Sequence, residues 1–332
     1  MSAAAAQRRA AAALVFNAFV WGTSWWPLRR LQDAGVHPLW STALTFTLAS
    51  LVIAAVRPRA IVQVLRTPAL WLLVVAAGCT NAAFNWAIVI GDVVRVVLLF
   101  YLMPLWTVLL ARVVLGERLT RVAAARIALG TLGALIVLWP DASHAGTESG
   151  GIALPLPRSL ADWLGIVGGF SFAFNNVMLR REANRPEEGR SLAMFAGGAL
   201  VAGVLAAALS AEGAIAPVPP PAPAWLALGL AVTVAFVAGN LSLQYGAARL
   251  PANGTAVVML TEVLFASLSA VALGGGVLTS RLAVGGALIV AGVIVVKLGE
   301  GRNGRRPGLA TAPAARIRSG HARADEVPAL RG

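Results

Sequence analysis

The sequence predicts an all-α membrane protein of ten transmembrane helices, arranged as two inverted five-helix repeats. Three observations carry this. Of 332 residues, 58% are apolar and only 12% charged, with a mean hydropathy of +0.77, which marks a chain whose solvent is the bilayer. The apolar residues fall into ten runs of about 20 residues, the length that crosses a hydrocarbon core. The second half of the chain also superimposes on the first in a fixed register.

The runs lie near 12–31, 38–56, 68–90, 94–115 and 122–139, then near 160–180, 191–210, 223–248, 252–273 and 282–299. Arg8 and Arg9 before the first run imitate a secretory signal, but the run extends to Leu31 and is read as a retained helix. The Pro-rich stretch Ala216 to Pro223 predicts a stiff extended loop. Residues 10–140 form the first repeat, 158–299 the second, and 301–332 a disordered basic tail.

The net charge of +13 is read as topology rather than as a nucleic-acid footprint, because the arginines sit at the edges of apolar runs. With the N-terminus inside, 22 of the 27 basic residues fall on the cytoplasmic side. Only Arg29, Arg30, Arg95, Arg158 and Arg281 fall opposite, so both termini are expected in the cytoplasm. Trp40, Trp71, Trp139, Trp163 and Trp225 lie near run ends, where an indole is stabilised between headgroup and hydrocarbon.

A shift of 159 positions places Asn81, Asn85 and Trp86 on Asn240, Gln244 and Tyr245. The same register pairs Gly116 with Gly275, Leu119 and Thr120 with Leu278 and Thr279, and Gly133 with Gly292. At a shift of 151, Leu28, Arg29 and Arg30 meet Leu179, Arg180 and Arg181. A repeat of five spans enters the second half from the opposite face, so the halves are inverted and a site is expected between them.

Several function classes are excluded by residue usage. Lys297 is the single lysine, so no phosphate-binding Walker motif exists; Cys79 is the single cysteine; and His37, His144 and His321 form no ligand cluster in sequence. No cofactor, metal, catalytic residue or nucleic-acid partner is expected. An intramembrane enzyme would need paired acids or a Ser/His pair at membrane depth, and the sequence offers none.

Glu262 is the one acidic residue expected near the middle of a span; the other thirteen fall at span ends, in loops or in the tail. A carboxylate there is costly unless it faces a cavity or is protonated. It is read either as a proton-coupling or amine-binding group, or as a protonated side chain bonded to a neighbouring helix. Pro104 removes a backbone donor and predicts a kink between Tyr101 and Trp106, a static bend or a hinge. Asn81 and Asn85 lie one turn apart, as do Asn240 and Gln244, and serve either substrate contact or interhelical bonding. Trp21, Ser24, Trp86, Tyr101, Asn175 and Tyr245 complete the candidate cavity lining, whose rings favour aromatic or amphipathic solutes.

The run Leu115-Gly116-Glu117-Arg118-Leu119-Thr120, eleven residues after Pro104, together with Trp21-Gly22-Thr23-Ser24, resembles the EamA-type transporters of the drug/metabolite transporter superfamily. The likeness spans residues 10 to 300. It departs in the second half, where the family's usual Pro and Glu are Val263 and Gly276, which puts symmetric motion of the halves in doubt. The resemblance implies export of small metabolites through a central cavity lined by helices 1, 3, 4, 6, 8 and 9. It is similar in particular to bacterial aromatic amino acid exporters, which implies the bacterial cytoplasmic (inner) membrane, amino acids as substrates and lipid as surroundings; a monomer suffices. A multidrug exporter of hydrophobic cations using Glu262 as counter-charge, and a membrane scaffold, are the competing readings.

Overall fold

The computed structural model describes residues 3–116, 121–139, 156–182, 186–247, 249, 258–259 and 261–303. Among these there is helix and no strand. The tail expected from 301 onward lies outside the described residues except for 301–303, which end the last helix.

The first predicted run is two helices, α1 (Ala3–Thr23) and α2 (Trp25–Asp33), rather than one. They part at Ser24, whose hydroxyl donates to the Trp21 carbonyl at 2.8 Å. Helix α3 (Pro38–Val56) starts where proline can start a helix, and the His37 ring accepts the Leu39 N–H at 3.2 Å. The link that follows holds a short helix not foreseen, α4 (Arg59–Arg66). Its eight residues are too few for a periodic signal, yet Ala60 and Val64, one turn apart, are buried.

Helix α5 (Pro68–Ile90) again opens on proline and stops at Gly91. The fourth run divides into α6 (Val93–Phe100) and α7 (Met103–Leu115), with Pro104 in the first turn of α7, where its missing N–H is not needed. The bend expected around Pro104 is thus a break at Tyr101–Leu102. Helix α7 ends at Gly116 with φ +68°, a left-handed cap that glycine adopts without strain. Helix α8 (Arg121–Leu138) closes the first half.

The second half comprises α9 (Leu160–Arg181), α10 (Glu187–Ala211), α11 (Pro223–Ala247), α12 (Thr261–Leu273) and α13 (Ser280–Asn303). Ser159 caps α9 by accepting the Asp162 N–H at 3.1 Å. The Pro-rich link before α11 is non-helical, and Trp40 and Trp225 donate their indole N–H groups to its Ala216 and Pro220 carbonyls.

Among the described residues five stretches are long and apolar enough by themselves to cross a bilayer: Pro38–Val56, Pro68–Ile90, Val93–Leu115, Glu187–Ala211 and Pro223–Leu243. Apolar stretches of α8, α12 and α13 are shorter. Large apolar side chains such as Leu51, Val113, Val204 and Leu268 point outward, the arrangement of a surface that meets lipid. The structure is therefore that of a multi-pass membrane protein.

Helix pairing repeats between the halves. Helix α5 packs on α9 as α11 packs on α1; α7 packs on α9 as α12 packs on α1; and α3 with α10, and α8 with α13, join equivalent helices of the two halves. Close approach at these seams needs small residues: a Cβ at Gly133 would sit 2.6 Å from the Gly285 carbonyl oxygen, and one at Gly285 2.9 Å from that of Gly133. The main core surrounds α6, whose Val93, Val94, Leu98 and Leu99 are buried among α5, α8, α9 and α12.

Candidate transport cavity

Where the two halves meet they enclose a cavity of about 320 Å³, at the low end of the usual range for small-molecule sites. The breaks in the chain position its wall. Because α6 stops at Phe100, the ring of Phe100, the hydroxyl of Tyr101 and the side chain of Met103 turn into the space. Trp21 lies in the last turn of α1, just before the Ser24 break, and stacks on Phe236 of α11, with centroids 4.5 Å apart and planes 18° apart. Phe84, Phe100 and Phe172 form a second aromatic cluster, with centroid separations of 4.6 and 5.4 Å, and Phe46 and Phe195 a third at 5.7 Å.

The polar groups are few. Tyr101 Oη lies 3.1 Å from Glu262 Oε2 and 3.2 Å from the Met259 carbonyl, so α6 and α12 are joined at the cavity wall. One hydroxyl proton cannot serve both acceptors. Either Tyr101 donates to the Glu262 carboxylate, or it donates to Met259 while a protonated Glu262 donates to the tyrosine oxygen. In either arrangement Tyr101 and Glu262 stay bonded to each other; with the carboxylate form the Met259 carbonyl gives up the tyrosine proton.

Asn17 of α1 is fully buried, donates to Met259 Sδ at 3.5 Å and leaves its side-chain oxygen without a partner. Asn175 of α9 is 1% exposed and its oxygen is likewise unpartnered. Asn81 donates to the Ala77 carbonyl at 2.8 Å and lines the same space. Asn176 and Asn240 also line it, and among the described lining residues Glu262 is the single charged side chain, with no basic one.

Of the residues chosen from sequence, the structure brings together Trp21, Asn81, Tyr101, Asn175 and Glu262. Four others are elsewhere. Ser24 is spent on its own helix break. Asn85 is fully buried and donates to Thr42 Oγ1 at 3.1 Å, a bond between α5 and α3. Trp86 packs edge-on against His37 at 5.2 Å, and Tyr245 turns outward under the Arg249 guanidinium, 3.9 Å from its ring centroid. The side chains of Gln244 and Pro104 lie outside the described residues. Glu262 lies on α12 (Thr261–Leu273); residues 258–259 before it are also helical, and the run expected at 252–257 lies outside the described residues.

The lining residues missed by sequence reading are chiefly Asn17 and the phenylalanines 46, 84, 100, 172, 195 and 236. Asn17 carried a usable signal, a lone amide in an apolar helix. The phenylalanines carried none, since a helix apolar on every side does not disclose which face meets a cavity. Helices α3 and α10 also join the wall, beyond the six spans that were expected to form it.

A family model described as the EamA-like transporter family matches this chain twice, over residues 8–139 and 159–298. A solved structure whose description reads only "Crystal structure of protein" is similar in fold, with a TM-score of 0.54 and 23% identity, covering 88% of this chain and 98% of the other. No curated protein gives a match. The two matched segments coincide with the two halves that flank the cavity. The chain belongs to the EamA-like transporter family, carries that family's domain twice, and is a membrane transporter of the drug/metabolite transporter superfamily.

Proposed function

We propose that the protein is a secondary transporter that exports small amphipathic metabolites, foremost amino acids including aromatic ones, by alternating access across the bacterial cytoplasmic membrane. Ten spans in two inverted halves, with both termini cytoplasmic, are the topology we assign it, on the 22-to-5 division of basic residues. The observation that carries the function is the Tyr101–Glu262 pair set into a ring-lined cavity between the halves. An apolar or aromatic body suits the walls of Trp21, Phe84, Phe100 and Phe236. An ammonium group suits Glu262 and the unpartnered oxygens of Asn17 and Asn175, and the amide N–H groups of Asn175 and Asn176 are donors for a carboxylate.

The two proton arrangements of Tyr101 and Glu262 support coupling to protons: binding an amine beside Glu262 favours the carboxylate form, and releasing it favours re-protonation. A second reading, export of hydrophobic cations, is favoured by one feature, the lack of a basic side chain among the described lining residues. Counterflow in proteoliposomes decides between them. Labelled phenylalanine and threonine should exchange, a quaternary ammonium compound should not, and exchange of the cation alone would overturn the amino acid reading.

A further inference from the structure

One end of the bundle is held shut by polar contacts between the halves. There α2, α5 and α12 finish and α6, α9 and α13 begin. Arg29 of α2 donates to the carbonyls of Ile88 at 3.2 Å, Val89 at 3.0 Å and Gly91, all at the α5–α6 link, and reaches the Gly275 carbonyl of the α12–α13 turn at 3.4 Å. Asp92 caps α6 with one oxygen, which accepts the Arg95 N–H at 2.9 Å; its other oxygen accepts the Val277 N–H of the same distant turn, also at 2.9 Å. The Val93 N–H donates to the Gly275 carbonyl at 3.1 Å.

Capping α6 needs only one carboxylate oxygen, so the bond to Val277 is not explained by local helix chemistry. Gly276 gives it meaning. A Cβ there would lie 2.8 Å from Asp92 Oδ2, so only glycine leaves room for the carboxylate. In the internal repeat this glycine stands where the first half has Glu117. The second-half turn has lost its own carboxylate, and Asp92 of the opposite half stands against it instead.

The cavity lies toward the other end. Asn176 is five residues from the end of α9 (Arg181), and Met194 and Phe195 are seven and eight from the start of α10 (Glu187), the helix ends opposite the latch. Between cavity and contacts, Val93, Val94, Val96, Val97, Leu98 and Leu99 are each at most 3% exposed, a solid plug. We propose that Arg29 and Asp92 are the latch of a gate: their bonds to Gly275 and Val277 hold this end closed and must break for the cavity to open there. Each group freed by opening passes from a carbonyl or amide partner to water, so the latch is reversible.

The inference rests on the transport reading, and it is tested without substrate. In a Cys79→Ala protein carrying Met103→Cys on the cavity wall, a membrane-impermeant thiol reagent is applied from each face of sealed vesicles. Gly276→Ala and Arg29→Gln should each speed labelling from the latch face by about tenfold, equivalent to about 1.4 kcal/mol, while Arg30→Gln, whose Asp33 partner is on its own helix, leaves it unchanged. Unchanged rates in both variants, in protein that elutes as the parent does, would overturn the latch. A second measurement is a disulfide between Asp92→Cys and Val277→Cys. Oxidation should abolish labelling from that face and reduction restore it, and labelling that persists after oxidation refutes the proposal. Failure of counterflow alone would reject the substrate assignment and leave the gate result standing.

Discussion

Replacing Gly197 with alanine tests the packing that frames the cavity. A Cβ at Gly197 would lie 2.1 Å from the Val74 carbonyl oxygen and 2.9 Å from its carbon, and Gly78 meets Val201 and the Gly197 carbonyl just as closely. The obstacle is backbone, so no rotamer change relieves it. To regain an ordinary contact of 3.4 Å, α5 and α10 must separate by about 1.3 Å. A gap of that size forfeits roughly half of the dispersion energy between the facing atoms, and overpacking of this kind costs about 1–3 kcal/mol. At about 2–4 °C per kcal/mol for a chain of this order of size, the midpoint should fall by roughly 2–12 °C.

The assay is the fraction of detergent-solubilised protein that survives size-exclusion chromatography after heating. Gly229→Ala is the control: nothing lies within 4 Å of a Cβ there, so alanine should be neutral or slightly stabilising through helix propensity. Helices α5 and α10 carry Asn81, Phe84, Met194 and Phe195 into the cavity, so Gly197→Ala should also raise the substrate KM in counterflow. Equal midpoints for Gly197→Ala and Gly229→Ala would show that the two helices are not in the contact described.

Three other outcomes are expected. Glu262→Gln keeps the shape but cannot exchange a proton, so transport should lose most of its dependence on pH while expression is retained; a wild-type pH profile with normal flux removes Glu262 from coupling. Trp21→Leu removes the ring stacked on Phe236 and should lower exchange of phenylalanine relative to threonine, whereas an unchanged ratio would place substrate elsewhere. Arg95 holds Asp162 through two bonds of 2.7 and 3.0 Å and donates to the Val137 carbonyl at 2.7 Å, tying α6, α8 and α9 together. Asp162 is 4% exposed, so Arg95→Met leaves a buried carboxylate and should destabilise by about 3 kcal/mol; Arg95→Met with Asp162→Leu should recover much of that, measured by the same heating assay.

Apolar run length placed the described helices except α4, which is too short to show a period, but it did not show that the first and fourth runs each break in two. Tyr101 and Asn175 reached the cavity as a ring and an amide in apolar helices were expected to do. Asn85 did not, although it sits one turn from Asn81 on the same helix: Thr42 of α3 takes its N–H, and nothing in the local sequence announces that neighbour. Tyr245 shares its register with Trp86 through the repeat, yet one faces Arg249 and the other His37, because equivalent positions in two halves do not have equivalent neighbours.

Hydrophobicity and charge act locally along the chain, so the sequence by itself determined a helical membrane transporter, its division into two halves and its family. Meeting of groups far apart in the chain is a property of packing. The Tyr101–Glu262 pair, the phenylalanine walls of the cavity and the reach of Asp92 over Gly276 to Val277 were decided only by the tertiary structure. In helices apolar on every side, no periodic pattern says which face will turn toward lipid and which toward the space between the halves.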